Sequence, residues 1–525
     1  MLDIDISEPH DVNPDLNGEI SIQEVSQSIY RTKLRKAAGL DNFPAEVLRN
    51  PNCIILLHMI ISKCFKDGIV PNLWNQGIIN PIPKKGDPRI PLNNRGITLI
   101  CVPAKVYADI LNRRLSKWLE KHDKLADNQN GFRKDRSCLD HMYSLYTVIN
   151  NRKMAEQSTY VCFVDARRAF DCIDRDLLWF RLYGIGIRGR ILNAIKSLYV
   201  DISCSVRLNG SIMTGNFSVD NGLKQGCLAS PTLFSIYLNS LIEEIDSLNC
   251  GVKVDDSMVA ILAYADDITL IAITEQQLDI LLSTLNDWCF KWRMSINQEK
   301  TQVIHFRPHN TPRSAHQFKC GDISLDIVSE YKYLGLYFNE FVDFHSSIKV
   351  LAKSANRALG VLLAKSKAFG GLPYRIFSRL YETMVLPVLL YGSALWGLKE
   401  YSEVNSVQNK AAKCFLGVGK FTPTAVIEGD LCLKTMKTRQ FIEVTRYWCR
   451  IKNVNSHRIT HKLHVWSSHR PLPRNSLTWD LKVLKKLTGL LSDDYELYTN
   501  AEEKVHKTVI LSDIQKQLIS SYHET

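Results

Sequence analysis

Two apolar, β-branched runs, Val259–Ala263 and Ile268–Ile273, flank the tetrapeptide Tyr264-Ala265-Asp266-Asp267. Runs of this kind around so short a break predict a β-hairpin, with two adjacent carboxylates where the chain reverses. A third acid, Asp165, closes another apolar run, Tyr160-Val161-Cys162-Phe163-Val164. Taken singly, the pair reads as turn chemistry and Asp165 as a helix cap. A charge at the end of an apolar strand is costly unless it is paired or metal-bound. Three carboxylates meeting on one sheet form a hard-oxygen site suited to two Mg²⁺ ions. Such a pair of ions can activate a hydroxyl and neutralise a leaving pyrophosphate.

The rest of the chain alternates helical and extended patterns. Ser21 with Glu24 three residues on predicts a capped helix carrying Val25 and Ile29. Helices are expected over Ala45–Asn50, Ile54–Phe65, Leu192–Val200, Ser230–Asn249 and Gln277–Arg293, and a long basic one over Val102–His122 with Arg113, Arg114, Lys117 and Lys121. Strands are expected at Ile78–Pro83, Tyr160–Asp165 and Thr301–Phe306, with Ser203–Leu208 and Phe217–Asn221 paired across an Asn209-Gly210 turn. This mixture argues for an α+β fold with an antiparallel sheet. At 525 residues, about three domains or subdomains are expected. Met1–Gly18, acidic and rich in Asp, Asn and Pro, reads as a flexible segment or linker.

The net charge of +12 leans mildly toward a polyanionic partner. Its distribution says more. From Asp343 to Tyr381 seven bases stand against one acid: Lys349, Lys353, Arg357, Lys365, Lys367, Arg375 and Arg379 against Asp343. On a helix they make a basic face suited to phosphates. The 14 cysteines show neither a C-x-x-C pair nor zinc-site spacing, so they read as reduced core residues in an intracellular protein. No apolar run is long enough to span a membrane.

A set of motifs in fixed order resembles the reverse transcriptase of non-LTR (LINE-type) retrotransposons, from about Ile20 to about Lys437. They are Ala38-Gly39-Leu40-Asp41 with Pro44 and Glu46; Asn94-Arg95-Gly96-Ile97-Thr98-Leu99; Gln129-Asn130-Gly131-Phe132-Arg133 with Ser137-Cys138; Phe163-Val164-Asp165 with Ala169-Phe170-Asp171; Gln225-Gly226-Cys227 with Ser230-Pro231 and Leu233-Phe234; the Tyr264–Asp267 tetrapeptide; Trp288-Cys289, Asn297 and Lys300-Thr301; and Tyr331-Lys332-Tyr333-Leu334-Gly335. The resemblance implies a right-hand polymerase. It would have a flexible segment at 1–19, an N-terminal extension and fingers at 20–153, a palm with the antiparallel sheet at 154–339, a thumb at 340–385, and a C-terminal helical extension of unassigned function at 386–525.

It also implies an RNA-directed DNA polymerase that uses RNA template, DNA primer, dNTPs and two Mg²⁺, with Mn²⁺ as an alternative, and acts in the nucleus. Asp165, Asp266 and Asp267 would be catalytic metal ligands, assisted by the Ala166 carbonyl. Phe170 would exclude a 2′-hydroxyl, and Gln225 and Gly226 would approach the incoming nucleotide. Arg95, with Lys84 or Lys85, would hold its triphosphate, and Lys300 would protonate the departing pyrophosphate. Tyr333, Leu334 and Gly335 would grip the primer, and Lys349, Lys353 and Arg357 the phosphates of the template–primer duplex.

The chain departs from the family in two places: Asn94 stands where an aromatic is usual, and Arg168 where lysine is usual. The family's endonuclease is not read in this sequence. Too few residues precede the polymerase motifs, the C-terminal part lacks a Cys/Cys/His/Cys knuckle, and Asp493-Asp494 with Glu496 is a poor RNase H cluster. The nuclease is therefore expected from another module or is absent. Tyr391–Trp396 resembles the family's region after the thumb, with a core role, and Trp448, Trp466 and Trp479 are read as packing residues. The rival reading is an inactive, domesticated nucleic-acid-binding protein that keeps the fold.

Overall fold

The computed structural model of the protein describes residues 13–84, 86–208, 212–470 and 477–488. Lys85, the Asn209-Gly210 turn and the Asp493-Asp494/Glu496 cluster lie outside the described residues.

The molecule is organised around a four-stranded antiparallel sheet, ordered Gln302–Phe306, Thr159–Asp165, Asp267–Ala272, Ile261–Tyr264. Successive side chains on a strand point to opposite faces. Val161 and Phe163 enter one hydrophobic core, while Cys162 and Val164 enter another. Having both faces covered is what makes this strand an unbroken apolar run. The helices Ser230–Asp246 and Glu275–Lys291 supply buried Phe234, Leu281 and Trp288 to the second core. On the other face lie the helix Cys138–Met154 and the hairpin of Glu330–Tyr333 with Leu336–Asn339, whose Tyr331 ring stacks on Phe163 at 4.4 Å.

A second sheet is ordered Asn94–Leu99, Gln76–Pro83, Ser203–Leu208, Ile212–Met213, with Phe217–Ser218 also paired to Ser203–Leu208. Gln76–Pro83 runs antiparallel to Asn94–Leu99 but parallel to Ser203–Leu208. The expected partner of Ser203–Leu208 is thus present only over Phe217–Ser218, and a strand far earlier in the chain takes its other edge.

The reading of residues 1–19 as flexible needs correction over 13–19. Pro14–Asn17 is a short helix with Leu16 wholly buried. Asn17 Oδ1 accepts from the Ile191 amide at 3.0 Å, and Arg114 donates to the Gly18 and Glu19 carbonyls at 2.5 and 2.8 Å. Polar composition concealed a segment that is fixed by side chains from distant parts of the sequence. The Ser21–Glu24 capping box is present at the helix Ile22–Arg31.

The helix His345–Ala368 buries Ile348, Ala352, Ala355, Leu359 and Leu362. Lys349, Lys353, Arg357, Lys365 and Lys367 stand exposed on its other side, and none forms an ion pair among the described residues. Beyond it the described chain is helical, including Met436–Asn453, Ile459–His469 and Trp479–Thr488, which bury Trp448 and Trp479; Trp466 is partly buried and packs against the same core. Among the described residues all 14 cysteines are free, and no helix is long and apolar enough to cross a membrane.

Candidate active site

Asp165 is the last residue of its strand and Asp267 the first of the neighbouring one, and the two are direct cross-strand partners. Like charges placed opposite one another destabilise a sheet. Tyr264 pairs with Asp267, so Ala265 and Asp266 form the two-residue loop between the strands. Ala265 has φ +58°, a left-handed conformation at a position that ordinarily favours glycine.

The segment after the basic helix holds that loop in place. Gln129 Oε1 accepts from the Ala265 amide at 3.1 Å and from the Gly131 amide at 2.8 Å. Asn130 N–H donates to the Ala263 carbonyl at 3.0 Å. Gly131 lies so close that a Cβ there would sit 2.3 Å from Ala265 N. The Gln129–Gly131 motif is therefore a clamp on the turn, a role its sequence does not disclose.

The clamp is itself anchored from the C-terminal helices. Arg136 donates to Asn130 Oδ1 at 2.9 Å and pairs with Asp127 at 2.5 Å. Asp127 accepts from the Ile459 amide at 2.5 Å, and Arg458 stands 3.6 Å away. Asp140, almost wholly buried, pairs with Arg450 at 2.8 Å and Arg458 at 3.5 Å. Arg450 and Arg458 carried no signal in the sequence beyond their charge.

Asp165 is set by the segment that follows the Glu275–Lys291 helix. Its carbonyl accepts from the Asn297 amide at 2.8 Å, and its Oδ2 from Asn297 Nδ2 at 3.1 Å. Lys300 Nζ lies 3.4 Å from the same oxygen. Ala166 bridges to Ile296 through the Asp165 carbonyl and the Arg167 amide, and neither bond uses the Ala166 carbonyl.

Desolvation, chiefly, and then the neighbouring Asp165 charge push the Asp266 carboxyl up, against Arg95 and Lys300, which favour its ionised form. Asp267 is pushed up to about 6 by desolvation and by Asp266 and Asp165. Both side chains are nevertheless surface-exposed, so solvent screens much of this repulsion. Among the described residues no three His, Cys, Asp or Glu side chains close into a preformed metal cage. Mg²⁺ does not need one, because it binds through one or two carboxylates completed by water and substrate phosphate. The mutual repulsion of the three acids fits a site that a dication would relieve.

Arg95 is exposed on the Asn94–Leu99 strand, within electrostatic reach of Asp266. Asn94 Nδ2 donates to the Pro88 and Ile90 carbonyls at 2.9 and 3.0 Å, closing the loop before it. Lys84 is exposed at the end of the adjacent strand. Gln225 accepts from the Thr98 amide at 2.7 Å through its carbonyl and donates from Nε2 to Asp171 at 2.8 Å. Gly226 has φ +125°, and a Cβ there would lie 2.6 Å from the Thr98 carbonyl. The close approach that demands glycine here is to the Arg95 strand itself, which ties that strand to the loop before the Ser230–Asp246 helix.

Phe170 stacks on Phe234 at 4.7 Å and meets Phe132 edge-on at 6.3 Å. Tyr333 is buried and shares a 3.3 Å hydrogen bond with His141. Leu334 and Gly335 form the left-handed hairpin turn, with φ of +45° and +95°. Tyr391 braces that turn, its hydroxyl donating to the Leu334 carbonyl at 2.7 Å. The structure gathers the three carboxylates, Arg95, Phe170, Gln225, Gly226 and Lys300 around two sheet ends. Lys349, Lys353 and Arg357 stand apart on their own helix.

Residues 82–338 match the family described as reverse transcriptase (RNA-dependent DNA polymerase). This segment is a reverse transcriptase domain. It contains the three carboxylates, Phe170, Gln225, Lys300 and the Tyr333–Gly335 turn. The chain is also similar to polymerases of non-LTR retrotransposons. It is 23% identical over 449 residues to the probable RNA-directed DNA polymerase from transposon BS of Drosophila melanogaster, covering 83% of this chain and 49% of that protein. With the RNA-directed DNA polymerase from mobile element jockey of Drosophila funebris it shares 25% over 432 residues, covering 78% and 45%. The chain thus spans about half the length of these curated relatives. Apo telomerase from Candida Tropicalis aligns at 12% identity, TM-score 0.39, over 82% of this chain and 76% of that one.

Proposed function

We propose that the reverse transcriptase domain of this chain copies RNA into DNA, adding dNTPs to a primer 3′-end. The observation that carries the reading is the cross-strand pair Asp165–Asp267 with Asp266 in a strained, clamped turn. Like charges kept together at a conformational cost argue for a use beyond folding. Two Mg²⁺ at these carboxylates, with the Ala166 carbonyl, would activate the primer hydroxyl and neutralise the leaving pyrophosphate; Mn²⁺ is the alternative.

Arg95 holds the triphosphate through its planar guanidinium, with Lys84 beside it. Lys300 is the general acid toward pyrophosphate, its ammonium already at the carboxylate centre. Leu334 and Gly335, on the turn that buried Tyr333 underpins, seat the primer end, and Lys349, Lys353 and Arg357 meet the phosphates of the duplex. In the right-hand layout, residues 20–153 are fingers, 154–339 palm, 340–385 thumb, and 386–525 a helical extension.

Purified protein given a primed RNA template, Mg²⁺ and dNTPs is expected to extend the primer, and Asp266→Ala to reduce extension by about 10³-fold or more. Equal extension by both proteins would remove the catalytic assignment. Phe170, wedged between Phe234 and Phe132, would exclude a 2′-hydroxyl. Phe170→Val is expected to improve ribonucleotide incorporation relative to dNTP by about 10²-fold, the scale of a pocket steric term. An unchanged ratio would move the discrimination elsewhere.

A further inference from the structure

The basic helix Val102–Lys121 turns part of its polar face toward residues 132–134, and a cleft runs between them. Seven bases and three acids line it. Each acid is already taken: Glu24 by Arg114 at 2.8 Å, Asp15 by Lys121 at 2.7 Å and Glu120 by Arg133 at 2.7 Å. Arg31, Arg113, Lys117 and Lys134 are left with no carboxylate among the described residues. Arg113 donates from Nη2 to Gln27 at 3.1 Å, while its buried Nη1 has no partner.

One end of the cleft reaches the polymerase centre. Phe132, 56% exposed, lines the cleft and meets Phe170 edge-on. The preceding residue, Gly131, packs on Ala265 of the acid turn. Ser116 and Thr232, 3.4 Å apart, join the basic helix to the helix that carries Phe234.

Four unmatched cations beside an exposed ring are the ingredients of single-strand binding, where phosphates meet the charges and an unstacked base meets the ring. A base inside a duplex offers no such face. The cleft also differs in location from the basic face of His345–Ala368. That helix packs into the core that receives Val161 and Phe163, whereas the cleft helices belong to the core that receives Cys162 and Val164. The two basic surfaces are built on opposite faces of the catalytic sheet.

We propose that this cleft takes an unpaired RNA strand, the stretch of template on its way to the nucleotide site. The proposal rests on the polymerase reading above and adds a site to it. The four cations hold backbone phosphates without regard to sequence, and Phe132 stacks on a base next to the templating position.

The test is the triple variant Arg113→Gln, Lys117→Gln, Lys134→Gln, none of which belongs to the catalytic or nucleotide-binding set. Fluorescence anisotropy with a single-stranded RNA of roughly 12 nucleotides is expected to show at least about tenfold weaker binding at low salt. The slope of log affinity against log salt should fall by about 2, as for the loss of three single-strand phosphate contacts. Primer extension is then compared on two RNA templates, one with roughly 12 unpaired nucleotides ahead of the primer and one with a single templating base. The variant should lose activity on the first and match the parent on the second. Unchanged RNA binding and salt slope would overturn the proposal, as would an equal loss on both templates. A parent that extends neither template would sink the polymerase reading alone, since the binding comparison still decides the cleft.

Discussion

Gly131→Ala is expected to lower primer extension by about 10²- to 10³-fold while leaving binding of a primer–template duplex nearly unchanged. The added methyl would sit 2.3 Å from Ala265 N, and that contact is to backbone, so no side-chain rotation relieves it. Either the clamp or the acid turn must shift by the better part of an ångström. A displacement of about 1 Å at a reacting centre can cost about 10² in rate, and here it falls on the residue before Asp266. Single-turnover incorporation with saturating dNTP measures the effect, and duplex binding by anisotropy supplies the control. Equal losses in both would mean general misfolding rather than a displaced turn. Parental rates would show that the turn tolerates movement.

The second large effect concerns stability. Lys224, just before the Gln225-Gly226 pair, is 8% exposed and has no carboxylate partner among the described residues. Its ammonium donates to the Asn75 Oδ1 and Trp74 carbonyl oxygens, at 3.3 and 3.5 Å, and lies over the Tyr199 ring. Burial pushes its pKa down to about 8. Below that pH both folded and unfolded chains hold the proton, and the folded chain bears the full cost of a buried charge. Between about pH 8 and 10.5 the folded chain has released a proton that the unfolded chain keeps, so stability rises with pH through that window.

Lys224→Met removes the charge at similar length. The shift itself corresponds to about 3 kcal/mol, and the lost hydrogen bonds return about 1 kcal/mol. The variant should therefore be about 2 kcal/mol more stable at pH 7, with the gain shrinking toward pH 10. Urea unfolding at both pH values measures it. A variant less stable than the parent at pH 7 would mean that the lysine is held by interactions stronger than those seen.

Much of the architecture is legible in the sequence because it is local. The Ser21–Glu24 box, the long basic helix and the hairpin around Asp266 each declare themselves within a few residues. Motif order then brings Asp165, Phe170, Gln225 and Lys300 to one site. What stays hidden is whatever depends on distant parts of the chain. Nothing in Gln76–Pro83 announces a parallel partner at Ser203–Leu208. The polar run around Pro14–Asn17 reads as loose because Arg114 and Ile191, which hold it, lie far along the chain. Gly226 reads as room for a nucleotide, while the atom that forbids a side chain is the Thr98 carbonyl. Tyr391 reads as core, yet its hydroxyl fixes the turn at Leu334.

The ion pairs of Arg450 and Arg458 change what counts as the unit of function. The reverse transcriptase domain ends at residue 338, and every proposed metal ligand lies before that point. Asp140 and Asp127 also lie before it, but the guanidinium groups of Arg450 and Arg458 that face them come from more than a hundred residues beyond. A chain cut at the domain boundary would keep the three carboxylates proposed as metal ligands but lose the guanidinium groups that pair with Asp127 and Asp140 and the Tyr447 hydroxyl bonded to Asp140. That damage would sit a few bonds from the clamp on the acid turn. The C-terminal helices would then act as a proof of length: a protein shortened at that end can carry the motif and still be unable to hold it in shape.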